Sequence, residues 1–253
     1  MIRTPGTTTG RHTTGRLFIR LLAALFTVMS VQVPAGAEIT TDDRSALNEM
    51  IRDYILANPE VVREALINLA EREERARLDM AMLSLRDDAG DPILGNPDGG
   101  TVIYEFSDYN CGYCKRVLEP LLDLLAEDND IKLVVKEFPI LSQTSLLAAQ
   151  AGIAAQAQGV FTDFHIAMMT ARGAITMDSI LDAAQSAGAD TDRLQADMNS
   201  AEVAAIIDRT RTTAQTLQIT GTPGLVIGSQ VIPGAISIEQ MREFIAAERA
   251  ANS

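Results

Sequence analysis

Only two cysteines occur in the 253-residue chain, Cys111 and Cys114, and only Gly112 and Tyr113 separate them. Three chemistries compete for such a pair: a structural staple, part of a metal site, and a redox centre that opens and closes. A structural disulfide gains stability by closing a long loop in the unfolded chain, and two intervening residues close almost nothing. Zinc needs about four ligands, and beyond the N-terminal leader described below the chain offers two cysteines and one histidine, His165. Carboxylates or a second subunit could complete a set, and two thiolates can hold a cuprous ion, so metal binding stays open as an alternative. Redox chemistry fits both the spacing and the position. If a helix begins at the first cysteine, Cys111 sits where unpaired backbone N–H groups and the helix dipole favour an anion. Cys111 is then the exposed sulfur that attacks or is attacked, and Cys114, one turn further in, is the shielded resolving one.

The pattern around the pair supplies the elements that hold it. "TVIYEFSDY" has the β-branched and aromatic residues of a buried strand, "CGYCKRVLEPLLDLLAED" has helical spacing, and "IKLVVKEFP" is a second apolar strand ended by proline. Such a βαβ unit is right-handed and puts the cysteines at the carboxyl end of a central strand. Pro120 is expected to kink the helix by removing one backbone bond. Residues 142–217 are alanine-rich and predict about four helices, broken near Gly159, Gly173 and Gly188. "TPGLVIGSQVIPG" then predicts a hairpin turning at Gly228-Ser229. "SIEQMREFIAAERA" predicts a closing helix with Ser237 as N-cap and Gln240 at the capping-box position. The order βαβ, helical block, ββα is an α/β, thioredoxin-like fold with a helical insertion.

A helical segment precedes it. From 41 to 86, Leu47, Ile51, Tyr54 and Ile55, then Val62, Ala65, Leu66 and Leu69, recur at helical steps, with a joint at Asn58-Pro59. Glu71 with Arg75 and Glu73 with Arg77 are spaced for i,i+4 pairs. This segment is too small for a core of its own, so its stripe packs on the main domain or on another copy of itself. Asp87–Gly100 reads as a linker with at most a short strand at "PILG".

The first 37 residues read as an export signal: Arg3, Arg11, Arg16 and Arg20, the apolar run "LLAALFTVMSV", then small residues at Ala35-Gly36-Ala37. The expected organisation is a signal peptide at 1–37, a helical arm at 38–89, and a thioredoxin-like domain at 90–253 with its insertion at about 142–217. Export places the thiols in an oxidising compartment where a disulfide can persist. Cleavage removes four arginines and no acids, leaving 17 basic against 34 acidic residues, a net charge of about −17. A surface so acidic repels phosphate backbones and argues against a nucleic-acid partner.

"VIYEFSDYNCGYCKR" resembles the active-site strand and helix of the DsbA-like branch of the thioredoxin superfamily, exported thiol-disulfide oxidoreductases with a helical insertion. The likeness covers about residues 90–250. It implies a cis-proline facing the cysteines, matched at Pro223 in "ITGTPGLVIG" with Thr222 before it, and a substrate chain that pairs with the backbone at Thr222 like an added strand. It further implies that Glu105, six positions before Cys111, is the buried acid of the family, which moves a proton to or from Cys114. The competing reading of Glu105 is a solvent-facing side chain or a pair with Lys136 on the neighbouring strand.

Gly112-Tyr113 between the cysteines, and Thr222, look more like exported disulfide isomerases than oxidases, which typically carry Pro-His and a valine there. Tyrosine adds no positive charge beside the thiolate, so a less oxidising pair is expected. The helical arm resembles the ScsC proteins and points to self-association. The partners implied are exported proteins with thiols or disulfides and a membrane redox partner, in the periplasm, with no cofactor and no metal. The alternative is a copper-binding thiol carrier without turnover. His165 reads as a helix residue rather than a ligand, since no second histidine accompanies it. Met80, Met82, Met168 and Met169 invite a copper reading, but methionine more often fills gaps in a core.

Overall fold

The computed structural model describes residues 40–251. The predicted signal peptide lies outside the described residues. The chain divides into two units at Pro59.

The first unit holds α1 (Thr41–Ala57), opened by a capping box in which Thr40 Oγ1 accepts from the Asp43 amide and the Asp43 carboxylate accepts from the Thr40 amide. None of its residues is buried, and its predicted apolar positions, Leu47, Ile51, Tyr54 and Ile55, are all exposed.

The second unit holds α2 (Pro59–Arg86) from Glu60 onward, a helix that begins at the predicted joint because proline needs no N–H partner in a first turn. Glu71 and Arg75 form the expected pair at 3.5 Å. Arg77 instead pairs with Glu74, and its guanidinium also donates to the Thr216 carbonyl. Val62, Leu66 and Leu69 are exposed, whereas Ala81 and Leu85 near the end of α2 are part of the domain core.

The sheet runs β1-β3-β2-β4-β5. The strands are β1 (Ile93–Gly95), β2 (Thr101–Ser107), β3 (Ile131–Glu137), β4 (Gly224–Ile227) and β5 (Gln230–Pro233). The parallel pair β2–β3 sits at the centre, with the helix α3 (Gly112–Glu127) as its crossover. The other pairings are antiparallel. The β4–β5 hairpin turns at Gly228-Ser229, where Gly228 takes a positive φ of 59° that only glycine adopts freely. The helix α3 runs through Pro120 without a break.

Pleating sorts the central strands onto two faces. Ile103, Leu133, Val135, Leu225 and Ile227 meet α3 and α9 (Ile238–Ala251). Tyr104, Phe106, Val134 and Val226 meet α2 and α8 (Ala201–Thr216). The predicted capping box at the start of α9 is made: the Ser237 amide donates to Gln240 Oε1 at 3.0 Å, and the Gln240 amide to Ser237 Oγ at 3.3 Å.

Among the described residues the insertion holds five helices, one more than the sequence predicts: α4 (Gln143–Ala157), α5 (Phe161–Thr170), α6 (Met177–Ser186), α7 (Thr191–Met198) and α8. Gly159, Gly173 and Gly188 mark three of the breaks, each with positive φ. The fourth carries no glycine; it is made at Asn199-Ser200, where Ser200 Oγ caps α8 by accepting from the Val203 amide. No described helix is long and apolar enough to cross a membrane.

Candidate functional site

Cys111 is the N-cap of α3, with extended backbone angles, and its Sγ accepts from the Cys114 amide at 3.4 Å. The helix starts there because the loop before it is tied down by its own side chains. Asp108 accepts from the Asn110 amide through Oδ1 and from the Ile140 and Leu141 amides through Oδ2, at 2.8 to 3.1 Å. Asn110 donates to the hydroxyls of Ser142, Thr144 and Ser145 ahead of and within α4. Neither Asp108 nor Asn110 is singled out by sequence reasoning, although short Asx side chains next to a helix start are the available signal.

The second wall of the site comes from the far end of the chain. The Thr222–Pro223 peptide bond is cis, and the Thr222 carbonyl accepts from Cys111 Sγ at 3.2 Å. Both cysteines are free thiols. Cys111 keeps 6 % of its surface and Cys114 1 %, so Cys111 is the more accessible sulfur, but it is buried rather than exposed as the sequence predicts. The Thr222 carbonyl lies against it on one side, and it packs into the core formed with Tyr109 and Leu118. A cleft of about 410 Å3 lined by Thr220, Thr222, Pro223 and Val231 opens beside this wall.

Glu105 is on the α3 face of the sheet, 2 % exposed, with Ser107 Oγ donating to it at 3.1 Å. It does not pair with Lys136. In the parallel register Lys136 lies opposite Phe106, and Glu105 opposite Val135, so the two side chains point to opposite faces. Burial pushes the Glu105 carboxyl up to about 7, against the lowering effect of the Ser107 hydrogen bond. Burial, reinforced by the Glu105 charge, pushes the Cys114 thiol well above its ordinary value, opposed by hydrogen bonds from the Asp108 backbone and Ser107. A carboxyl group that titrates near neutrality thus lies close enough to the inner thiol for their charges to interact.

A second buried polar group joins His165 to two residues that sequence reasoning does not single out, Tyr109 and Glu137. Tyr109 OH donates to Glu137 Oε1 at 3.0 Å and lies 3.1 Å from His165 Nδ1. All three are buried; burial holds His165 down at about 3, hence neutral, and raises the Glu137 carboxyl well above its usual range. His165 is therefore a packed helix residue, while Met168 and Met169 fill the core formed with Ala148, Ala151 and Phe164. Gly152 makes the space for this cluster: a Cβ there would stand 2.6 Å from Glu137 Oε1 and 2.9 Å from Tyr109 OH. Gly152→Ala is accordingly expected to cost about 1–3 kcal/mol in urea denaturation, the price of overpacking a filled core. An unchanged midpoint would show that the cluster has room to move.

Between the cysteines, Gly112 and Tyr113 are exposed, Tyr113 by 60 %. The Arg116 guanidinium lies 4.0 Å from the Tyr113 ring centroid, so a cation does stand beside the dipeptide although neither of its residues supplies one. Cys111, Cys114, Thr222, Pro223, Gly112 and Tyr113 thus come together at one end of the sheet, with Glu105 buried under them. Met80 is exposed on α2 and Met82 partly buried in the core formed with Leu85. No group of three or more histidine, cysteine or acidic side chains among the described residues could hold a metal ion.

Comparison with known proteins agrees with this geometry. Residues 102–246 match the DSBA-like thioredoxin domain, and residues 43–76 match the Copper resistance protein ScsC N-terminal domain. The chain is similar to the structure of a thioredoxin-like oxidoreductase from Silicibacter pomeroyi, at 38% identity and a TM-score of 0.64, covering 66% of this chain and 96% of that one. The catalytic domain of Proteus mirabilis ScsC is 27% identical with a TM-score of 0.63, covering 70% and 98%. The thiol-disulfide exchange protein alpha-DsbA2 from Wolbachia pipientis is 26% identical with a TM-score of 0.64, covering 71% and 97%. A curated relative, the Na(+)/H(+) antiporter NhaA of Herminiimonas arsenicoxydans, is 26% identical over 178 residues, which are 70% of this chain and 28% of that protein. The chain thus spans little more than a quarter of that relative's length. With more than half of its residues in the family match, and a thioredoxin-like sheet carrying a helical insertion, the chain belongs to the DSBA-like thioredoxin family.

Proposed function

We propose that this protein is an exported thiol-disulfide oxidoreductase that exchanges disulfides with protein substrates through Cys111 and Cys114. The observation that carries the reading is the contact of Cys111 Sγ, at the N-terminus of α3, with the carbonyl of Thr222 before a cis-proline. A substrate thiolate attacks Sγ of Cys111 in the disulfide form; the Cys111–Cys114 bond breaks, and Cys114 leaves as a thiolate that takes a proton from Glu105. A second substrate thiolate then attacks the substrate sulfur of the mixed disulfide, so the substrate leaves oxidised and the Cys111–Cys114 pair reduced. In the reverse direction Glu105, as carboxylate, takes the proton from Cys114, which attacks Cys111 and releases the substrate thiol. An extended substrate strand pairs with the backbone at Thr222 in the course of either step.

Gly112-Tyr113 and Thr222 favour reshuffling over oxidation, and the uncovered apolar positions of α1 favour assembly of several copies through the arm. The domain limits proposed are the arm up to residue 89 and the catalytic domain from residue 90. The arginine-led leader supports export to the periplasm, where a membrane redox partner would recycle the pair. The test is refolding of scrambled and of reduced ribonuclease by the mature protein and by Cys111→Ser, with the molar mass measured alongside. Activity on scrambled substrate from an oligomer, abolished in Cys111→Ser, is the expected result. Activity on reduced substrate alone from a monomer would reject the isomerase. No activity on either, with stoichiometric cuprous binding, would favour a thiol carrier instead, the reading to which the copper-resistance name of the matched arm model also leads.

A further inference from the structure

Between Asp87 and Ala251 the chain carries 10 basic and 23 acidic side chains. With carboxylates in such excess, a cation without one nearby is the exception. Seven of these cations have a carboxylate oxygen within 4.0 Å. Of these ten, the three for which no carboxylate comes that close are Lys115, Arg116 and Arg172. Lys115 and Arg116 follow Cys114 directly in α3. The Lys115 amide donates to the Cys111 carbonyl at 3.1 Å, which puts Lys115 one turn from the reacting sulfur. Its ammonium donates to the Ala171 carbonyl at 3.0 Å, which brings the next residue, the exposed Arg172, to the same rim. Arg116 lies over the exposed Tyr113 ring and reaches to 3.9 Å from the position of a Cβ on Gly112.

From this juxtaposition we propose that Lys115, Arg116 and Arg172 form a cationic rim that selects polypeptide substrates carrying Asp or Glu next to the reacting cysteine. The inference rests on the redox function proposed above and names the substrate class of that site. A chain that reaches Cys111 and lies along Thr222 passes this rim, and its carboxylates find there three cations with no internal carboxylate within 4.0 Å. The remainder of the acidic surface repels such a chain, so attraction is focused on the opening, the arrangement that raises association rates by steering. A polypeptide is favoured over a lipid surface because the rim borders a buried sulfur and a backbone edge, which only an extended chain reaches.

The test uses two single-cysteine peptides, each as its mixed disulfide with a neutral thiol, identical except for Glu or Lys on both sides of the cysteine. Their exchange with the reduced mature protein is followed by stopped flow. The expected result is a rate constant about tenfold higher for the Glu peptide at low ionic strength, falling toward equality in 1 M salt, where the screening length is about 3 Å. In Arg116→Gln/Arg172→Gln the ratio is expected to fall toward one at low salt as well. Equal rates for the two peptides with the unmodified protein would overturn the inference while leaving the redox function in place. Exchange with neither peptide would overturn the redox function, and the inference with it. Co-sedimentation with phosphatidylglycerol vesicles, with no preference between the peptides, would overturn it in favour of an anionic membrane.

Discussion

Asp91→Ala is expected to destabilise the protein by about 3–5 kcal/mol, because it leaves a buried cation without its counter-charge. Asp91 is buried in the turn before β1, and its Oδ2 accepts from Lys136 Nζ at 2.5 Å and from Arg209 at 2.9 Å. The Lys136 side chain is 1 % exposed and has no other carboxylate within 4.0 Å. Desolvation already lowers the Lys136 pKa, and Asp91 is the main influence opposing that shift. For a lysine whose folded pKa lies below its unfolded value, the unfolded chain binds more protons between the two values, so stability rises with pH across that window. Losing Asp91 depresses the folded value further and widens the window. The loss measured by urea denaturation is therefore expected to be largest near neutrality and to shrink toward the unfolded lysine value of 10.5. Asp91→Ala/Lys136→Met is expected to recover much of it, since removing both charges leaves no unpaired lysine. A single mutant as stable as the parent would show that water or Asp88 takes over the pairing.

Glu105→Gln is expected to change both the pH dependence of stability and the rate of exchange. The folded carboxyl titrates at about 7 instead of 4.5. With the folded value raised, the contribution is fully present below pH 4.5 and is lost as pH rises through 7. Over that window the shift corresponds to about 3 kcal/mol of the reduced protein's stability. Glutamine cannot ionise, so the variant should lose that part of the slope and become the more stable protein at pH 8. Glu137, also raised, leaves a residual slope of the same sign. Attack of Cys114 on a Cys111 mixed disulfide should slow by about a hundredfold, in keeping with the loss of a positioned proton acceptor. Its pH profile should also lose the inflection near 7. Stopped-flow release of a chromogenic thiol checks the rate. Unchanged slopes and unchanged rates together would remove Glu105 from the chemistry.

These two residues illustrate how far the chain can be read without its fold. Strand, helix and hairpin positions follow from local pattern, since the β-branched and aromatic run in "TVIYEFS" and the spacing in "CGYCKRVLEPLLDLLAE" need only neighbours to express themselves. The two-residue spacing of the cysteines and the helix that follows are likewise local. The break at Asn199-Ser200 was not legible, because a serine cap is as common a residue as any within an alanine-rich run and becomes a signal only once its hydroxyl meets the Val203 amide.

Local pattern establishes most of the elements, their order and the one position where two thiols meet a helix start. Which distant groups face one another depends on the packed fold. Glu105 and Lys136 sit on adjacent strands, but register and pleat send them to opposite faces: one beneath α3 and Cys114, the other to Asp91, 45 residues away in the chain. Likewise Tyr109 meets Glu137 and His165, 28 and 56 residues on, only because Gly152 leaves room for them. Charge pairing, burial and proton affinity depend on separation in space through Coulomb interaction and desolvation, and neither varies with separation along the chain.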